Sequence, residues 1–184
     1  MTGRNTLVRS MHDLGLAAWF GGSLMGAVGL NGAAATAASP RERLELASRG
    51  WARWTPVQTA AIVVNGIGGI GLVGGNRLRL VGQQESRRNA AVKAVITLAA
   101  AGCSVASGVA GKRMADRSDE GTDGVTEPRR DASPHLARAQ RAQRILQWAT
   151  PALTAVLLVL AAQQGEQQRP IKGLFRTTLD NIRN

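Results

Sequence analysis

The sequence predicts an all-α fold: a polytopic membrane protein built as a four-transmembrane-helix bundle, with short interfacial helices beside it. Two observations carry this expectation. Charged residues are crowded into blocks, and between the blocks lie four uncharged runs, Leu14–Pro40, Thr55–Asn76, Ala94–Gly111 and Ile145–Gly165. Each run is about 18 residues or longer, enough for a helix to cross a hydrocarbon layer roughly 30 Å thick. The second observation is the net charge of +11, which comes chiefly from arginines placed beside the ends of those runs. There they would meet anionic lipid headgroups. The mean hydropathy of -0.08 is that of a soluble protein only because the average hides this segregation.

The 184 residues read as one membrane domain, with spans near 14–37, 56–76, 92–111 and 145–164. The first run is rich in glycine and alanine rather than leucine, which suits a helix packed among others. In a bilayer, helices associate by close backbone approach, and small residues permit it. Gly22 and Gly26 form one such small-xxx-small pair. Ser39-Pro40-Arg41-Glu42 has the form of a capping box with Pro at the first helical position. Leu44, Ala47, Trp51 and Trp54 then share a helical face, which predicts a short helix over 40–54 lying at the membrane surface. Its two indoles would sit at headgroup level.

The second span begins at Pro56 and carries Gly68, Gly71 and Gly75 on one side. The third continues the small-residue pattern with Ser104 and Gly108, and holds the chain's single cysteine, Cys103, as a small packing residue. The segment 112–132 is polar and lacks apolar periodicity, so a disordered or loosely ordered loop is expected there. Ser133-Pro134 opens the last helix, with Pro151 in an early turn of the fourth run as a source of a kink. In the tail, over 169–184, Ile171, Leu174, Phe175, Leu179 and Ile182 make an apolar stripe among basic residues, the pattern of an interfacial helix.

The motifs that bear on chemistry are few. Gly66-Ile67-Gly68-Gly69-Ile70-Gly71 matches the dinucleotide fingerprint GxGxxG. That fingerprint needs a strand before it and further strand–helix units around it, and the flanking runs are of helical length. Helix packing accounts better for these glycines. His12 and His135 precede the first and fourth spans, which puts them on opposite sides of the membrane and argues against a shared haem or metal. The acidic stretch from Asp119 to Gly124 lacks the glutamate a calcium loop needs, Arg130 standing at that position. No cofactor, metal or catalytic residue is therefore expected. Nucleic acid is disfavoured as a partner, since the chain has no Tyr and two Phe for stacking against bases. Asn31 and Asn65 are polar groups inside the apolar runs, where an amide must find a partner. They are expected to hydrogen-bond between helices.

The stretch His12-Asp13-Leu14-Gly15-Leu16-Ala17-Ala18-Trp19-Phe20-Gly21-Gly22-Ser23-Leu24-Met25-Gly26, with Gly50-Trp51-Ala52-Arg53-Trp54-Thr55-Pro56, resembles uncharacterised four-span integral membrane proteins of high-GC Gram-positive bacteria. The opening is more distantly similar to copper-resistance D-like membrane proteins, although the further His and Met residues for handling copper are missing. The first resemblance implies a bacterial cell membrane as the location and no particular activity. Cation counts on the two sides nearly tie. The acids of the third loop and the basic tail favour both termini in the cytoplasm. The expectation for function is a non-enzymatic accessory or scaffold subunit of an envelope complex, in contact with anionic headgroups and a membrane-protein partner. The alternative is a small transporter or a lipid- or small-molecule-binding protein with its cavity near Asn31 and Asn65. Oligomeric state is left open.

Overall fold

A computed structural model describes residues 2–75 and 84–167. All regular structure among them is helical. Helix α1 (Thr2–Met25) passes through a π-helical turn (Gly26–Leu30) into α2 (Asn31–Ala35), forming one rod. Three long helices come after it: α3 (Pro40–Gly75), α4 (Gln84–Ala115) and α5 (Pro134–Gln167). Among the described residues four stretches are long and apolar enough to cross a membrane, Thr6–Ala35, Pro40–Gly75, Arg87–Ala115 and Pro134–Gln163. Each begins before the apolar run that marks it, because the flank on that side is helical too.

The rods pack side by side in a closed square, α1 against α3, α3 against α4, α4 against α5, and α5 back against α1. The centre of the square is a cluster of Leu16, Trp19, Ala61, Ala100 and Leu157, with every rod contributing. A second cluster caps one end: Ala34, Leu44, Ala47, Met114, Val125, Leu136 and Ala139.

Two sequence expectations are corrected here. Residues 40–54 do not form a separate interfacial helix, because α3 runs unbroken from Pro40 through Pro56 to Gly75. The proline removes one backbone donor, and two threonine hydroxyls bond to carbonyls one turn back on either side of it. Thr55 Oγ1 donates to Trp51 O at 2.8 Å and Thr59 Oγ1 to Thr55 O at 2.8 Å. The Ser39 cap itself is formed, its Oγ accepting from Glu42 N at 3.1 Å.

Trp51 and Trp54 lie across the glycine face of the first rod. A Cβ on Gly22 would overlap the Trp54 indole, and one on Gly26 the Trp51 indole.

The segment 112–132 is not disordered. The helix α4 takes its first residues, a 3-10 turn covers Ser118–Glu120, and Thr122, Val125 and Thr126 are buried. Thr122 N donates to Pro40 O at 2.9 Å. Gln140, fully buried, donates from Nε2 to Thr122 Oγ1 at 2.6 Å and Val125 O at 3.1 Å. Glu120 accepts from Ser133 N and Ser133 Oγ, each at 2.8 Å, and Ser133 Oγ caps α5 through Leu136 N at 3.2 Å. The loop is thus a plug held by long-range polar contacts that local composition does not reveal. The expected tail helix over 169–184 lies outside the described residues.

Candidate functional site

The antiparallel contact between α1 and α3 is built on glycine, but with two kinds of partner. At one end backbones touch. A Cβ on Gly15 would stand 2.6 Å from Ala61 O and 2.6 Å from Asn65 N, and one on Gly68 would strike the backbone of Val8 and His12. Gly71 is next in line, 2.7 Å from Val8 Cγ1 by the same measure. At the other end glycine makes room for rings, Gly22 for Trp54 and Gly26 for Trp51. Gly75 ends α3 and is exposed. Gly108, expected to pack, has open space around its Cβ position. The spacing of small residues marks a helical face without saying whether that face looks inward.

Polar side chains form a seam through the same bundle. The π turn is its first determinant: an extra residue in the turn rotates the helix beyond it to a new register, and Asn31 comes out buried. Trp51 Nε1 donates to Asn31 Oδ1 at 2.9 Å, while Asn31 Nδ2 donates to Gln147 Oε1 at 3.0 Å. One amide therefore joins α2, α3 and α5. One layer along, Ser107 and Gln143 exchange hydrogen bonds between α4 and α5, at 3.0 Å from Oγ to Oε1 and 2.9 Å from Nε2 to Oγ. Across the centre Trp19 Nε1 donates to Ser104 Oγ at 3.0 Å, and Ser104 Oγ donates to Ala100 O at 3.0 Å. Trp19 has no exposed surface and spans the diagonal from α1 to α4. Near the far end Asn65 Nδ2 donates to His12 O at 2.9 Å, beside the backbone contact at Gly15.

The seam brings Asn31 and Ser104 into one chain of layers with Asn65. It leaves Gly75 and Gly108 outside. His12 stands near the start of α1 and His135 at the start of α5, at opposite ends of the bundle. Sequence reasoning missed Gly15, Trp19, Gln143 and Gln147. Gln147 had a readable signal, since it is an amide inside an uncharged run, as Asn31 is. Trp19 and Gly15 had none, because their role depends on which residue of a neighbouring helix stands opposite.

The chemistry available to the seam is that of amides, hydroxyls and indoles. These groups hold their protons across the physiological range, and here they satisfy one another. Among the described residues Trp54 Nε1, Gln140 Oε1 and Thr150 Oγ1 are buried without a hydrogen-bond partner. No group of three or more potential metal ligands occurs among them either. No protein-family model, curated protein or solved structure matches the chain.

Proposed function

We propose that this chain is a non-enzymatic, multi-pass protein of the bacterial cell membrane that serves as an accessory or scaffold subunit of an envelope complex. The carrying observation is the outward face of α4. Val95, Leu98, Val105 and Val109 are exposed at three- and four-residue spacing, and Gly102 lies in the middle of that stripe with open space around its Cβ position. Its most apolar window is only 11% buried inside the bundle, the least of the four. In a bilayer, an apolar face with a central glycine lets the backbone of a second helix come close. The occupant of that face is a transmembrane helix of a partner protein.

The competing reading is a small transporter or small-molecule-binding protein with its cavity at Asn31 and Asn65. It has less support, because both amides are already bonded to neighbouring helices. A tagged pull-down from native membranes in mild detergent tests the proposal. A stoichiometric partner is expected, retained by Gly66→Leu and lost in Gly102→Leu, both positions having open space at Cβ. Recovery of the chain alone, or a partner indifferent to Gly102→Leu, contradicts it.

A further inference from the structure

At the plugged end of the bundle, α4 and α5 line an open groove of about 620 Å³. Its floor is apolar, with Ala106, Val109, Ala142 and Leu146, and its mouth carries Arg113, Arg117, His135 and Arg138. From Ala106 to Arg113 the groove runs along α4 for about 10 Å at 1.5 Å per residue. Arg117 is 3.8 Å from Glu120, whose carboxylate is already engaged by Ser133. Arg113 and Arg138 are exposed and have no ion-pair partner among the described residues.

We infer that this groove is a binding site for one acidic phospholipid, with its phosphate at Arg113 and Arg138 and an acyl chain along the floor. The argument is the order of chemistry along the groove. Ala106 and Val109 lie in the apolar run of α4 and Leu146 in that of α5, at the depth of acyl chains if these helices cross the membrane, and Ala142, Arg113 and Arg138 stand beyond the ends of those runs. An amphiphile with an anionic head satisfies both parts at once. A soluble anion leaves the apolar floor in water, and a neutral lipid leaves the arginines without a counter-charge. The volume falls within the range of ordinary ligand sites. The groove shares Val109 with the outward stripe centred on Gly102, while its arginines and the rest of its lining lie outside that stripe.

The test is native mass spectrometry of the intact protein in mild detergent, titrated with phosphatidylglycerol or phosphatidylcholine. One phosphatidylglycerol is expected to stay bound at concentrations where phosphatidylcholine does not. Each cation at an anionic lipid surface contributes a factor of about 5. The double variant Arg113→Gln/Arg138→Gln should therefore weaken retention about 30-fold. Arg41→Gln/Arg49→Gln removes the same charge from α3 at the same end and should leave retention unchanged. Ala142→Leu narrows the floor with the charges intact and should also release the lipid, with helicity by circular dichroism reporting that the bundle persists. Equal retention of the two lipids, equal loss in both arginine pairs, or complete competition by inorganic phosphate would overturn the assignment. The first two outcomes indicate general surface attraction, and the third a free-anion site.

Discussion

Replacing Gly15 with alanine tests whether backbone contact holds α1 to α3. The new Cβ would lie 2.6 Å from Ala61 O and 2.6 Å from Asn65 N, where ordinary contact begins at 3.4 Å. The helices must therefore part locally by about 0.8 Å, since the obstacles are backbone atoms and not side-chain ends that can swing aside. A gap of that size forfeits a quarter to a half of each neighbouring dispersion well, and overpacking of this kind costs roughly 1–3 kcal/mol. It also stretches the adjacent Asn65 Nδ2 bond to His12 O. Against this, alanine is the better helix former by about 1 kcal/mol, which leaves a net loss of about 0–2 kcal/mol. Gly108→Ala is the internal control, because its Cβ meets nothing within 4 Å and only the propensity gain of about 1 kcal/mol remains. Equilibrium unfolding in mixed micelles, monitored by circular dichroism, measures both. The reasoning fails if Gly15→Ala is as stable as Gly108→Ala, because the contact would then be absorbed without separation.

Two further substitutions probe the polar contacts. Asn31→Leu removes the acceptor of Trp51 and the donor to Gln147. Bonds of this kind average about 0.6 kcal/mol and reach about 1.7, so a loss of about 1–3 kcal/mol is expected in the same unfolding assay. A double-mutant cycle with Gln147→Leu should return a coupling near the single-bond value, and zero coupling would show that the amides do not hold each other. Gln140→Leu strips two hydrogen bonds from the plug, worth about 1 kcal/mol each. Amide exchange over residues 121–127 should accelerate about 30-fold, and unchanged exchange would mean that the loop is ordered by other contacts.

The helices are legible in the sequence because charge is excluded from long runs, a signal that owes nothing to which helix meets which. The features that mislead depend on such pairing. Pro56 suggests a helix break, and the Trp51 and Trp54 indoles give no sign of the neighbour they pack on. In the fold the proline is accommodated, and the rings fill the space that Gly22 and Gly26 leave. Gly22, Gly26, Gly68 and Gly71 meet neighbours, whereas Gly108 carries the same spacing and faces outward. The plug has the composition of a disordered loop because its own residues are polar. Its order comes from Ser133, just before the next helix, from Gln140, in the second turn of that helix, and from Pro40, far away in sequence. Asn31 and Asn65 can be singled out for a different reason: a lone amide in an uncharged run signals itself whatever its partner is.

Membrane insertion is the premise shared by the partner face and the lipid groove, and alkaline carbonate extraction of native membranes tests it most directly. Four spanning helices predict that the intact chain stays in the pellet at high pH and enters solution only with detergent. Release into the carbonate supernatant, or recovery in the cytosolic fraction without detergent, would contradict insertion and turn these exposed apolar faces into surfaces of a soluble assembly.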